Sequence, residues 1–351
     1  MRQRAGREMS LILGLESSCD DSAAALVTSD RRILAQAVVG QTQAHQAFGG
    51  VVPEIAARAH VEILPGLIEK VFAEAELSVG DVDAVAATAG PGLIGGVMVA
   101  LLAGKGLALA AGKPLVAVNH LEGHALSPRL VDPDLDFPYL LLLVSGGHCQ
   151  LLEVRGVGDY RRLATTIDDA AGEAFDKAAK LLGLDYPGGP AIEVLAKSGD
   201  AGAVPLPRPL VGSTEPHFSF AGLKSAVQRA VASGGFRPED IAASFQQAVV
   251  DCLVDRTRLA LGTSDAPALV VAGGVAANQA IRTALAALAS DRGRRFSVPP
   301  AWLCTDNAVM IAWAGAERFA AGLVDDLAAP ARARWPLDPD AEKVRGAGVK
   351  A

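Results

Sequence analysis

An apolar strand that runs into a turn of small residues occurs four times along this chain. Two copies, with the turns 16–22 and 145–148, continue into a second apolar strand, and this pattern predicts β-hairpins. The other two copies, with the turns 90–96 and 272–278, continue into apolar segments that predict helices, the second of them reaching to about Ala289.

The two predicted hairpins begin about 130 residues apart. We therefore expect a duplicated α/β lobe with a phosphate-binding turn in each copy. Glycine turns let backbone N–H groups approach phosphate oxygens, and a helix that begins there adds a favourable dipole. One such turn is weak support, but four of them favour a nucleotide cleft between two lobes. The chain contains neither a P-loop motif nor the Rossmann fingerprint.

Length and composition agree with this expectation. A chain of 351 residues exceeds one typical core, and its 37 glycines and 50% hydrophobic residues are typical of an α/β protein with buried strands. The net charge of −7 means that any contact with RNA is local or shared with a partner. The four cysteines form no Cys-x-x-Cys pair and no signal-peptide pattern is recognisable, which argues against structural zinc and indicates the cytoplasm.

The uncharged stretch 84–104 is long enough to cross a bilayer. It contains Pro91 and five glycines, so a strand, a glycine loop and a buried helix are the better interpretation, and we expect no membrane contact. The first eight residues are basic and patternless, and residues 326–351 lack clear periodicity. Both ranges are expected to be terminal extensions.

A His-x-x-x-His motif, formed by His120 and His124, is the strongest sign of chemistry. Residues spaced i and i+4 share one helical face, so their imidazole nitrogens can bind one divalent metal. A bare motif of this kind is more often ordinary polar packing. Zinc proteases need a glutamate directly after the first histidine, whereas Glu122 stands one position later, which argues against a protease.

A third metal ligand has to come from elsewhere, and Asp306 is the best candidate. Considered alone, an aspartate before a predicted helix (here from about Ala308) is more often an N-cap. Two histidines and one carboxylate would leave open positions, as iron(II) and catalytic zinc sites do. Asp176 is either one half of a surface ion pair with Lys177 or a carboxylate that binds ribose hydroxyls.

Taken together, these segments resemble the TsaD family, the tRNA N6-adenosine threonylcarbamoyltransferases once labelled O-sialoglycoprotein endopeptidases. The resemblance extends from about Ser10 to Leu337. Departures are small: Ala221 stands where the family commonly has serine, and His217 where it often has aspartate. The motifs that carry the resemblance are residues 14–21 (GLESSCDD), 50–54 (GVVPE), 57–60 (ARAH), 90–93 (GPGL), 119–124 (NHLEGH), 144–148 (VSGGH), 172–177 (GEAFDK), 273–278 (GGVAAN) and 306–307 (DN).

The resemblance implies a duplicated, two-lobed α/β fold of the actin, sugar-kinase and Hsp70 type. We expect lobe I to comprise residues 9–118, completed by about 301–325, and lobe II to comprise 119–300. One Fe²⁺ per subunit, or Zn²⁺ or another divalent metal, is implied on His120, His124 and Asp306. The implied substrate-binding residues are Leu143, Val144, Ser145, Gly146, Gly147, Asp176, Gly189 and Asn278.

The implied reaction transfers a threonylcarbamoyl group from threonylcarbamoyl-AMP to N6 of adenosine 37 in tRNAs that read ANN codons, and AMP leaves. TsaB-like and TsaE-like proteins are the implied partners. The sequence leaves the general base open, with Glu16 and Asp20 as candidates. The alternatives are a metalloprotease, and a phosphotransferase or non-catalytic nucleotide-binding scaffold of the same fold, which would not need the histidine motif.

Overall fold

The structure is a computed structural model that describes residues 9–46, 48 and 50–344. The predicted extension 1–8 and the last seven residues lie outside the described residues. The described chain divides into two compact units. Unit 1 comprises residues 9–133 and Asp306–Leu337, and unit 2 comprises Asp134–Thr305 and residues 338–344.

Unit 1 contains a five-stranded sheet in the order β3-β2-β1-β4-β5. The first three strands form an antiparallel meander, and β4 and β5 are parallel to β1. Its elements are β1 (Leu11–Glu16), β2 (Asp21–Thr28), β3 (Ile33–Gly40), α1 (Thr42–Gln46), α2 (Pro53–Glu74), β4 (Ala84–Gly90), α3 (Ile94–Ala111), β5 (Leu115–Asn119), α4 (His120–Val131) and α11 (Ala308–Ala320).

Unit 2 repeats this topology in the sheet β10-β9-β6-β7-β8. Here β6, β7 and β8 form the antiparallel meander, and β9 and β10 are parallel to β6. The predicted hairpins and the predicted duplication are therefore confirmed. Its elements are β6 (Tyr139–Val144), β7 (Cys149–Gly156), β8 (Asp159–Thr165), α5 (Ala171–Leu181), α6 (Gly188–Ala196), α7 (Ala221–Ser233), α8 (Pro238–Leu261), β9 (Ala268–Ala272), a 3-10 helix (Gly274–Ala277), α9 (Gln279–Asp291), β10 (Arg295–Ser297) and α10 (Ala301–Cys304).

Strand β1 lies at the centre of the unit 1 sheet and is buried along its whole length. Side chains alternate between the two faces of a strand. Leu11, Leu13 and Leu15 join the apolar cluster that includes α2 and α3. Gly14 faces α11 on the other side, and a Cβ there would lie 2.4 Å from the carbonyl oxygen of Ala308. The same alternation places Glu16 on the α11 face, at the end of the strand.

The observed unit boundaries differ from the predicted lobes in two places. Helix α4 belongs to unit 1, because it continues from β5 and packs against α11, so the chain passes into unit 2 after residue 133 instead of 118. The segment 326–337, predicted to be an extension, is also part of unit 1. Arg332 N donates to the carbonyl oxygen of Ala89 (2.8 Å), and the Asn119 side chain donates to that of Trp335 (2.9 Å).

Among the described helices, α3 is the one whose length and apolar composition would suffice to cross a membrane. It packs against β4 and α2 as a helix of an α/β unit does. These contacts bury 33% of its residues, and the side chains of Ile94, Met98, Leu102 and Leu109 stay exposed.

Candidate active site

The two histidines of the metal motif are fixed by the start of α4. Asn119, the last residue of β5, caps this helix: its Oδ1 accepts a hydrogen bond from Leu121 N at 2.9 Å. His120 is therefore the first helical residue, and His124 lies one turn further on the same face. Both rings are buried, and their centroids are 4.9 Å apart in an edge-to-face arrangement.

Asp306 completes the group from the other end of the sequence. Its Oδ1 lies 3.1 Å from Nε2 of His124 and 3.4 Å from Nε2 of His120. The N-cap of α11 is not Asp306 but Asn307, whose Oδ1 accepts from Met310 N at 2.9 Å. Because the neighbour provides the cap, the Asp306 carboxylate is directed at the histidines.

These three side chains fit a divalent metal. One ligand atom from each lies within 4.8 Å of the others. Nδ1 of His124 has no hydrogen-bond partner among the described residues, so the polar contact of this ring is made by Nε2, which faces Asp306. Two imidazole nitrogens and one carboxylate oxygen suit Fe²⁺ and Zn²⁺ alike.

The electrostatics of the group favour positive charge. Burial acts to raise the pKa of Asp306, but the charge of His120 and hydrogen bonds from both histidines lower that pKa well below its usual value. Burial acts to lower the pKa of His120, but the carboxylates of Asp306 and Glu16 raise it well above its usual value. A field that stabilises a cationic imidazole also stabilises a divalent cation at the same place.

Glu16, a candidate general base, is buried and held by three donors. Its Oε1 accepts from Ser18 N (2.5 Å), and its Oε2 accepts from the hydroxyl of Thr88 (2.6 Å) and lies 2.9 Å from Nδ1 of His120. Burial acts to raise the pKa of Glu16, yet His120 and Thr88 lower it overall. Sequence reasoning missed Thr88, whose one signal was that it is the only polar residue of β4.

The turn between β1 and β2 carries the second candidate base. Asp20 is half-buried there, and its catalytic role stays a prediction. Burial, Asp306 and Asp20 raise the pKa of the adjacent Asp21 to about 7. Burial and Asp20 also raise the pKa of the Cys19 thiol well above its usual value, which argues against a thiolate nucleophile.

Glu122 does not face the metal group. Its carboxylate is buried and forms an ion pair with Arg318 of α11 at 3.1 Å. The geometry therefore supports what the sequence predicted, that this glutamate is not the general base of a zinc protease.

Unit 2 contains the predicted phosphate-binding turn between β6 and β7. Ser145 N donates to the carbonyl oxygen of His148 (2.8 Å), and His148 N donates to Oγ of Ser145 (3.1 Å). Gly146 and Gly147 are exposed at the tip, and a Cβ on either would meet nothing within 4 Å. The tip is therefore open to a ligand.

Two further glycine segments of unit 2 lie against this turn. A Cβ on Gly172, in the first turn of α5, would lie 2.6 Å from the carbonyl oxygen of Ser145. Gly273 has a φ of +93°, and a Cβ there would lie 2.4 Å from the carbonyl oxygen of Val144. The turn thus adjoins a helix N-terminus, whose dipole favours a phosphate group.

The other predicted substrate residues lie in unit 2, and several have structural contacts. The side chains of Leu143 and Val144 belong to the core. Oδ1 of Asp176 accepts from Gly188 N at 2.8 Å, which ties α5 to the start of α6, and the neighbouring Gly189 is half-buried. Their contact with substrate stays a prediction.

Asn278 caps α9 and is oriented by a residue that sequence reasoning missed. Its Oδ1 accepts from Ile281 N (3.1 Å), and its amide donates to Oε1 of Gln246 (2.9 Å). Gln246 lies in the long helix α8, where no local pattern marks it as functional.

The chain is similar to known proteins over most of its length. Residues 32–313 match the model of the TsaD family, described as tRNA N6-adenosine threonylcarbamoyltransferase. A protein of that description from Sphingopyxis alaskensis is 74% identical over 344 residues, which cover 98% of this chain and all of the relative. One from Erythrobacter litoralis is 68% identical with the same coverage.

Among solved structures, component A of the Acidaminococcus fermentans (R)-2-hydroxyglutaryl-CoA dehydratase aligns with a TM-score of 0.54 at 18% identity, over 89% of this chain and 99% of that one. HypF of T. kodakarensis aligns with a TM-score of 0.59 at 17% identity, over 89% of this chain and 48% of that one. These structures support the predicted fold class alone. The family match and the identity over nearly the whole chain show that the protein belongs to the TsaD family, the tRNA N6-adenosine threonylcarbamoyltransferases.

Proposed function

We propose that this protein transfers the threonylcarbamoyl group from threonylcarbamoyl-AMP to N6 of adenosine 37 in tRNAs that read ANN codons. The observation that carries the proposal is the group of His120, His124 and Asp306, found in a chain of this family. TsaB-like and TsaE-like proteins are the proposed partners, and the cytoplasm is the proposed location.

The reaction is an acyl transfer without a covalent enzyme intermediate. The N6 amine attacks the carbamoyl carbon of a mixed carbamic–phosphoric anhydride. The new N–C bond forms, the C–O bond to phosphate breaks, AMP leaves, and N6 gives up a proton to a base. Because adenine N6 is a poor nucleophile, positioning of the two substrates has to contribute much of the rate.

Unit 2 provides groups suited to the leaving phosphate. Backbone N–H groups at Gly146 and Gly147, beside the N-terminus of α5, can hold the charge that develops on AMP. A divalent ion held by His120, His124 and Asp306, Fe²⁺ or Zn²⁺, would supply Lewis-acid polarisation of a carbonyl or phosphoryl oxygen. Asp20 stays a candidate base.

The metalloprotease alternative lacks support. Glu122 forms an ion pair with Arg318 and does not face the histidine group, and the relatives are named as transferases.

The test is a reconstitution. The purified chain, its bacterial partners, threonylcarbamoyl-AMP and unmodified ANN-decoding tRNA are incubated, and the digested RNA is analysed by mass spectrometry. We expect threonylcarbamoyl-adenosine to form when Fe²⁺ or Zn²⁺ is added and not to form without either ion. No product from metal-loaded protein with both partners present would refute the proposal.

A substitution tests the turn separately. In Gly147→Val the new side chain should occupy the open space at the tip, with no clash inside the protein. We expect AMP affinity, measured by calorimetry, to fall about tenfold or more, because steric overlap typically costs about 1–3 kcal/mol. Gly235→Val, at another exposed loop position, is the matched control and should bind AMP normally. If Gly147→Val and Gly235→Val bound AMP with equal affinity, the nucleotide would bind elsewhere.

A further inference from the structure

We propose that Glu16 is a positioning residue of the metal centre, which fixes the ring of His120 so that Nε2 faces Asp306. The inference rests on the proposed metal role of His120, His124 and Asp306. This role differs from that of a general base.

Burial and hydrogen bonds hold the side chain of Glu16 in one position. The side chain is 1% exposed and stands at the end of β1, the central strand of the unit 1 sheet. Ser18 N and the Thr88 hydroxyl donate to it, at 2.5 and 2.6 Å. Donors from the β1–β2 turn and from β4 thus hold the carboxylate in place beside the imidazole of His120.

Both carboxylate oxygens are engaged inside the protein. Oε1 accepts from Ser18 N, and Oε2 accepts from Thr88 and faces Nδ1 of His120. A general base has to reach the proton that it removes from a substrate. A buried carboxylate with these contacts is placed to act on His120 instead.

The contact selects one tautomer of the ring. An ionised carboxylate only accepts hydrogen bonds, so Nδ1 of His120 has to carry the proton and donate to Oε2. In the neutral form of the ring, which is the form that binds a metal, the lone pair is then on Nε2, which lies 3.4 Å from Oδ1 of Asp306. A carboxylate that orients a metal-bound histidine in this way also raises the basicity of the ligand.

The hydroxyl of Ser18 strengthens this arrangement. Its Oγ lies 3.1 Å from the same Nδ1 atom, so two oxygens face one nitrogen of the ring. No comparable contact is made by Nδ1 of His124 within the described chain. Of the two histidines, His120 is therefore the one whose orientation is set from outside the ligand group.

The experiment measures Co²⁺ affinity by competition with a chelator, in the full chain without tRNA or partners. We expect Glu16→Gln and Glu16→Ala to weaken binding by about 10- to 100-fold, the range for outer-shell partners of metal ligands, with alanine the weaker binder. Thr88→Val removes one donor to Glu16 without touching a ligand, and should weaken binding by about fivefold. Glu122→Gln removes another buried carboxylate, which lies between the two histidines in the sequence and pairs with Arg318. This variant should bind Co²⁺ with unchanged affinity.

A second readout follows the tautomer directly. The chain has six histidines, and ¹⁵N-histidine labelling of the Zn²⁺-loaded protein resolves their ring protons by NMR. We expect a hydrogen-bonded Nδ1 proton on His120 in the wild-type protein, lost in Glu16→Ala and retained in Glu122→Gln. If Glu16 had a purely structural role, its removal would not specifically abolish the Nδ1 proton signal of His120.

The outcomes separate the inference from the proposed function. Wild-type affinity and an intact Nδ1 proton in both Glu16 variants would overturn the positioning role while leaving the metal centre in place. A wild-type chain that binds no Co²⁺ would remove the metal centre itself, and the inference with it. If the Glu16 variants do not fold, Thr88→Val decides: unchanged affinity in that variant overturns the inference.

Discussion

His120→Ala should lose its metal and its transferase activity together. His120 is one of the three proposed ligands, and its removal leaves one imidazole and one carboxylate. Partners outside the ligand group typically contribute 10- to 100-fold to metal affinity, so loss of a ligand should cost more than about 100-fold. The measurement is metal content by mass spectrometry after dialysis, together with product formation in the reconstituted reaction.

Two variants make this result specific. His217→Ala removes a half-buried histidine of unit 2 that pairs with Glu215, and it should keep its metal and activity. Asp306→Ala should behave like His120→Ala yet stay folded, because Asn307 caps α11. Full activity of a metal-depleted His120→Ala protein would contradict the metal role.

Gly14→Ala should cause a large loss of stability in unit 1. The new Cβ would lie 2.4 Å from Ala308 O, 2.5 Å from Ala312 N and 2.7 Å from Ala312 Cβ. Two of these atoms are backbone, so the methyl group can be accommodated only if α11 moves away from β1. We expect the free energy of unfolding to fall by about 3 kcal/mol, at the upper end of overpacking costs, as measured by denaturant titration.

The same displacement should reach the ligand group, because Asp306 stands directly before α11. Gly14→Ala should therefore also bind Co²⁺ more weakly than the wild type. The matched control is Gly106→Ala on the exposed side of α3, where a Cβ meets nothing within 4 Å. A helix-interior alanine should stabilise there by about 0.5–1 kcal/mol. Equal stability of the two variants would contradict the close packing of β1 on α11.

Local sequence patterns sufficed for the two hairpins and for the pairing of the two histidines. Hairpins followed from apolar runs with small-residue turns, and the spacing of His120 and His124 placed them on one helical face. Asp306, the best third candidate from the sequence and also implied by the family resemblance, lies beside these histidines in the structure. That the group holds a metal is still a prediction.

Several contacts between residues far apart in the chain could not be predicted from the sequence. The contact of Glu16 with Thr88 depends on the parallel register of β1 and β4, and that of Asn278 with Gln246 depends on how α8 meets the start of α9. The segment 326–337 has no periodicity because it is held by a main-chain hydrogen bond to Ala89 and a side-chain hydrogen bond from Asn119, and not by a regular apolar face. Each of these contacts is specified by partners far away in the chain.

The order of the units along the chain has a consequence for biosynthesis. A ribosome makes residues 134–305, which form most of unit 2, between the codon for His124 and the codon for Asp306, which lie 182 positions apart. Domains generally fold as units during synthesis, from the N-terminal end. The nascent chain therefore carries the two histidines without their carboxylate until residues 134–305 have been made, and His120, His124 and Asp306 can come together only after that point.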